Sequence, residues 1–544
     1  MATEKLATTS SKPTSAQRGD SDVGIGDADM VKDEEVGKHE LLKPKVHFRL
    51  WQTLGMNFSL TCTPMAVGSY LALIGGLGGF PYYVWCFVFA GSFQILLGTT
   101  IAELASALPH SSGQTTTHQS QRLHFSFLDP LTNTVFNFSG PAYWVKVLSP
   151  PKYSQFLEYL VGWLTISVYW FITTGNTLYL AETTVGWVEA TRPGFTVTQW
   201  QIYLASVAWA VLLAAVNLPG LFKLLPHMMT AGVVLINCSW IFIAVSLLAR
   251  VHPKNSAQQV FVDVVNESGW SSNGVVFFLA LLPGLLSVSG FDAVTHITDE
   301  VPNPKKEIPQ VILGSTGLSA VTGFAMVVVY AFCAVHPDVL LEPYAHQPII
   351  NVFQDGLRSD ALFHIAMTAY LVTMFIASVA AMTSWNRLYW SFSRANGLPF
   401  SRFTAKLSGK DHLPINALIV NFVMVVALGA IGVGSLTALN AIFGSSAICA
   451  LSSFALSLFL AIRRGRGFLD PGRWLNLGSA GLPMQCVALT WTVFVCVWLC
   501  FPLYLPVTPE YMNWTVVILT GIILTATVYY LGFRKRIAAH DFYA

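Results

Sequence analysis

The chain has 544 residues, 53% of them apolar and only 11% charged, with a formal net charge of +2. Soluble domains carry about 25% charged residues. A soluble enzyme and a nucleic-acid-binding protein are therefore set aside, and an all-α polytopic membrane protein is predicted.

Residues 1–50 are rich in Ser, Thr, Asp, Glu and Lys and contain no long apolar run. This segment reads as a disordered cytoplasmic tail, not as a cleaved signal peptide. Twelve apolar windows follow, each long enough to cross a bilayer as a helix. They lie near 52–74, 81–107, 155–181, 199–218, 224–249, 275–298, 310–335, 361–393, 414–433, 437–462, 484–504 and 513–533. The membrane domain is thus 51–533, and 534–544 is a short cytoplasmic tail. Twelve crossings put both termini on one side. With that side cytoplasmic, 26 of the 30 basic residues fall inside, and only Arg192, Arg250, Lys254 and Arg358 fall outside. The asymmetry predicts the orientation and supports the span count. The eight cysteines all lie in apolar stretches, as expected of small buried hydrophobes; no disulfide framework, metal site or cofactor is predicted.

Span six carries the strongest functional signal. Val275–Leu286 is about 18 Å of helix, half a bilayer. It leads into Ser287-Val288-Ser289-Gly290, then Phe291 and Asp292, and it ends at Pro302 and Pro304. Gly290 weakens the helix there, and the serines can satisfy freed backbone groups. A carboxylate beside a broken helix at mid-membrane is the pattern of a solute-binding site. Capping of the second half-helix by Asp292 is the alternative role. His296 lies one turn on and can relay a proton from Asp292 or simply hydrogen-bond within the bundle. Asp299 and Glu300 are expected to pair with Lys305 and Lys306 at the rim. Glu103, near the inner end of span two, reads as a bundle-facing hydrogen-bonding carboxylate, with proton coupling or gating as its second role.

Three separated motifs carry a family resemblance. "GFDAVTHITDEVPNPKKEIPQVI" in span six, "TTIAELASALPHSSGQ" (Thr99–Gln114) and "SRANGLPFSR" (Ser393–Arg402) resemble the amino acid–polyamine–organocation superfamily. Within it they are most similar to the fungal amino acid/choline permeases, which include GABA and choline transporters. The resemblance implies a leucine-transporter-like fold, a 5+5 inverted repeat plus two helices, with spans one and six both broken. It implies secondary active import, driven by a proton gradient, of an amino acid, GABA or another small amine-bearing solute. Choline or polyamine transport, or a non-transporting nutrient sensor of the same fold, are the alternatives. It further implies that Asp292 borders the substrate site and that the plasma membrane (or else the vacuolar membrane) is the location, and it makes the tail lysines candidates for ubiquitin-dependent trafficking factors, plain solvation being the reading that the sequence alone favours.

Span one reads "FSLTCTPMAVGSYLALIGGLGG". Pro64 supplies a break that Thr61, Cys62, Thr63 and Met65 are expected to line. The family's glycine-rich break, whose bare amides hold a substrate carboxylate, is missing here; Gly68 comes a turn later. Substrates other than α-amino acids therefore stay open. Tyr169, Trp170, Phe171, Phe291, Trp385 and Tyr389 are candidate cation–π partners for an ammonium group, Phe291 being placed best by sequence. Residues 115–142 fit the family pattern badly and read as an insertion in the first inner loop, a translated intron being one origin. Asn266 opens an Asn-Glu-Ser glycosylation triplet. No HExxH or GxSxG motif points to an enzyme.

Overall fold

The computed structural model describes residues 50–109, 140–192, 194–336, 340, 347–409, 412–432, 436–508 and 512–539. Nine helices among them are long and apolar enough to cross a membrane. These are spans two (Gly79–Ala107), three (Pro151–Thr191), four (Gln199–Val216), five (Leu225–Arg250), seven (Pro304–Cys333), eight (Asp360–Arg394), ten (Leu436–Arg464), eleven (Gly481–Trp498) and twelve (Thr515–Ala539). Span nine is the shorter apolar helix Ile415–Gly432. Spans one and six are interrupted, so helical segments occupy all twelve predicted windows, nine of them long enough by themselves to cross. The tail 1–49 lies outside the described residues. The last helix continues six residues into the segment 534–544 predicted as a tail.

Burial orders the bundle. The apolar windows of spans three, eight and ten are 67%, 72% and 67% buried, against 22% for span four and 11% for span twelve. Spans three, eight and ten therefore form the spine, and the spans at the periphery present apolar side chains outward, as a chain solvated by lipid must. Span three has 41 residues, about 60 Å of helix, twice the thickness of a bilayer core. A short amphipathic helix, Pro141–Leu148, leads into it. Pro141 and Ala142, counted by sequence within the 115–142 insertion, belong to its first turn. Residues 115–139 lie outside the described residues.

Two-residue strands Leu77–Gly78 and Val265–Asn266 pair antiparallel and clasp the start of span two to the long connection before span six. In that connection the Asn266 Nδ2 donates to Trp270 O at 2.8 Å and to Asn273 Oδ1 at 3.2 Å, while its Oδ1 accepts from both the amide and the hydroxyl of Ser268. Both amide hydrogens are spent and Ser268 is buried. A glycan on Asn266 would displace one of these bonds. The expected outcome is no mobility shift on endoglycosidase treatment of the protein from a eukaryotic host; a shift abolished by Asn266→Gln would contradict this geometry.

All eight cysteines are free. Cys238 and Cys486, on spans five and eleven, are exposed rather than buried.

Candidate functional site

Two helix breaks face each other at the centre of the bundle. Span one runs as Leu50–Thr61, turns at Cys62 and resumes as Thr63–Ala66. Pro64 has no N–H to give the carbonyl of Leu60. Cys62 absorbs the mismatch with a left-handed backbone, φ +41°. Span six is more broken than the sequence suggests. Its first half comprises Asn273–Leu279 and Leu282–Ser287, divided by a turn ahead of Pro283. The chain then loses helical form through Val288–Gly290 and resumes as a 3₁₀ segment, Ala293–Glu300. Gly290 takes φ +76°, which a side chain disfavours, and a Cβ there would press on Leu60 of span one. Thr63 Oγ1 donates to Ser287 O at 2.5 Å, bonding one break to the other.

The breaks are largely satisfied from within. Ser289 Oγ donates to Leu286 O, and the amides of Ser289, Ala293 and Thr295 bond to Leu286, Gly290 and Asp292 carbonyls. Asn57 Oδ1 takes the Val294 amide at 3.2 Å, and its Nδ2 donates to Ser315 of span seven. Asp292 makes no side-chain cap; its backbone carbonyl, not its carboxylate, accepts the Thr295 amide and hydroxyl. The carboxylate is left for other work. Its Oδ2 stands 3.4 Å from His296 Nε2, and the Tyr169 ring meets the His296 ring edge-on at 5.3 Å.

A cavity opens on the Asp292 side of the break. Spans two, three, six and ten line it, with Gln94, Tyr169, Ser289, Gly290, Asp292 and Ser446 as its polar members and Phe454 as its aromatic wall. It has room for roughly one or two water molecules, so an organic solute fits only when the walls part. Tyr169 Oη, Gln94 Oε1 and Ser446 Oγ are all buried without a hydrogen-bond partner. Unpaired polar atoms in such a place ask for a polar ligand.

Of the residues predicted by sequence, Tyr169, Ser289, Gly290 and Asp292 line this cavity. Thr61, Cys62, Thr63, Met65, Ser287, Phe291 and His296 do not. Thr61 meets Ser319 at 3.2 Å, Cys62 Sγ points at Thr373 O of span eight, and Met65 is buried with its carbonyl held by Tyr370. Phe291 stacks behind the wall on Phe454, ring centroids 5.4 Å apart, so Phe454 presents the face that the sequence assigned to Phe291. Trp170 stacks on Phe171 and donates to Met424 of span nine. Trp385 and Tyr389 pair with each other, away from the cavity wall. Gln94 and Ser446 were missed. Their only signals are a glutamine inside an apolar run and the small-residue stretch Gly444-Ser445-Ser446-Ala447.

A helix-break site of this build belongs to a transporter, and comparison with known proteins identifies which. The profile of the amino acid permease family matches residues 131–523. The chain belongs to the amino acid permease family. This permease is 29% identical to a choline transporter of Saccharomyces cerevisiae, over 91% of its own length and 82% of the relative's. It is 28% identical to an uncharacterized amino-acid permease of Schizosaccharomyces pombe, over 94% and 90% of the two chains. The amino-acid permease BAT1 of Arabidopsis thaliana is 22% identical over 94% and 95%. The protein is accordingly a membrane transporter of the amino acid–polyamine–organocation type, not an enzyme.

Elsewhere in the permease, Glu103 sits far from the cavity wall in a different setting. Arg466 grips its carboxylate with both terminal nitrogens, at 2.6 and 2.9 Å, while Arg473 Nε and the Leu477 amide donate to Oε1 at 3.2 and 3.0 Å. Ser106, one turn on, donates to Lys305 O and accepts from the Leu475 amide. Lys305 pairs with Asp470 at 2.6 Å, where the sequence suggested Asp299 or Glu300; those two side chains lie outside the described residues. Glu103 is thus the hub of an ionic clasp that seats the connection between spans ten and eleven on the end of span two.

Proposed function

We propose that this permease imports a small organic ammonium solute by alternating access, with choline as the first candidate and proton entry as the driving reaction. One observation carries the reading: the Asp292 carboxylate opens onto the same buried cavity as the unpartnered Tyr169, Gln94 and Ser446 atoms, and among the described residues no lysine or arginine lines that cavity. An ammonium group finds a counter-charge at Asp292 and aromatic faces at Tyr169 and Phe454. A substrate carboxylate would need donors, and the amides of Ser289, Ala293, Val294 and Thr295 are already bonded. GABA and other amino acids form the second candidate class, because Gln94 and the remaining break can still serve a carboxylate and relatives carry the name amino-acid permease.

Asp292 and His296 are proposed as the proton-coupling pair, since they adjoin one another beside the cavity. The basic-residue asymmetry, 26 against 4, supports termini on the cytoplasmic side, and the plasma membrane is proposed as the location. The test is uptake of radiolabelled choline into cells expressing the full chain, with GABA and a panel of amino acids as competitors. Saturable choline uptake that collapses with a protonophore, and that choline itself competes most strongly, is the expected result. Saturable amino-acid uptake without choline uptake would install the second class instead.

A further inference from the structure

Outside the cavity, span three carries two buried carboxylates: Glu158, paired with Lys146 at 3.3 Å, and Glu182. Glu182 lies on span three, 13 residues beyond Tyr169, about 20 Å further along the helix. That places it toward the face proposed as external. It is 6% exposed. No ion pair to it occurs among the described residues. Its partner is neutral: Gln347 Nε2 donates to Oε2 at 2.6 Å. A buried carboxylate normally has a cation beside it.

Linked aromatic rings and polar atoms begin one turn from this carboxylate and lead toward span one. Tyr179 stands one turn before it and shares a 2.8 Å hydrogen bond with Tyr370, which donates to Met65 O beyond the span-one break. Tyr70 and Phe443 meet edge-on at 6.4 Å, and Phe353 meets Tyr370 at 5.8 Å. Gln347 precedes the connecting helix Pro348–Leu357, and Asn351 follows it by one turn on the same face. Asn351 is fully buried, yet neither atom of its side-chain amide has a partner. A polar thread thus runs from the span-one break through Tyr370 and Tyr179 toward Glu182, with spare hydrogen-bonding capacity at its far end.

We propose that Glu182, with Tyr179, Tyr370 and Asn351, forms a second station for an organic ammonium group on the external route to the cavity. Glu182 supplies the counter-charge, the tyrosine faces attract the alkylated cation, and the Gln347 amide holds the cation's place until it arrives. The separation from Tyr169 is too great for one small solute to bridge, so the two stations bind separately. The proposal rests on the cargo being an organic ammonium, and its test separates the two ideas.

Radiolabelled choline is bound to the purified full chain in lipid nanodiscs, with Asp292→Asn removing the central carboxylate. The Asp292→Asn chain should bind one choline; adding Glu182→Gln should weaken that binding at least tenfold, and Glu182→Asp in its place should retain it. In cells, Glu182→Gln alone should raise the KM for choline about tenfold, with maximal uptake per surface copy within twofold. No binding to the Asp292→Asn chain, or binding that survives Glu182→Gln while Glu182→Asp also leaves it unchanged, overturns the outer station. Choline uptake with no such binding would leave the proposed import standing without this station. Glu182-dependent binding with no choline uptake would do the reverse.

Discussion

Asp292→Asn should reduce choline uptake by two to three orders of magnitude while the protein still reaches the cell surface. The substitution keeps shape and removes charge. A carboxylate about 4 Å from an ammonium group gains about 4 kcal/mol at the effective dielectric of a partly buried site. Desolvation of the cation takes back part of that, and each 1.4 kcal/mol left is tenfold in affinity. Folding should be spared because the carboxylate caps no helix: the Thr295 amide and hydroxyl bond the Asp292 backbone carbonyl, and the asparagine amide can still face His296 where the carboxylate stands 3.4 Å from it. Surface biotinylation set beside uptake checks both halves. Asparagine cannot carry a proton, so residual flux should also lose its dependence on external pH. Uptake within threefold of wild type, with pH dependence intact, would remove Asp292 from the mechanism.

The breaks were legible because proline and glycine leave local marks. Pro64 and Gly290 interrupt helices whatever surrounds them, and a carboxylate in an apolar run stands out in any frame. Which way a side chain faces was not legible. Phe291 follows a glycine at positive φ, inside a segment with no helical period, so nothing in the sequence could tell its outward stacking on Phe454 from an inward face. Pro283 splits the first half of span six although the run around it reads as continuous. Gln94 and Ser446 sit on helices whose apolar faces are nearly all alike in lipid, which erases the amphipathic signal that marks a buried face in water. Glu182 falls one residue past the apolar window near 155–181, and its partner Gln347 lies 165 residues away. Glu103 was readable as a buried hydrogen-bonding carboxylate, but its partners Arg466 and Arg473 lie 363 and 370 residues away, beyond any local pattern.

That clasp gives the largest stability effect. Glu103→Gln should cost about 3–5 kcal/mol, the usual cost of removing one partner from a buried ion pair. Glu103 is fully buried, and Arg473 nearly so. With the carboxylate gone, two guanidinium groups face one another across a neutral amide, and the Leu477 amide keeps only a weaker acceptor. The folded fraction in a detergent melt and the surface level should both fall severalfold. The consequence reaches the cavity through the helices themselves. Glu103 ends the span that carries Gln94, and Arg466 follows the span that carries Ser446 and Phe454, so the clasp fixes two cavity walls against each other at one end. Loosening it should lower maximal uptake per surface copy, yet leave the pH dependence of the surviving flux where it was, because the proton-coupling pair lies on span six. Normal abundance with a shifted pH profile would mean instead that Glu103 itself takes up the proton, and the clasp would have to be read as part of the coupling path.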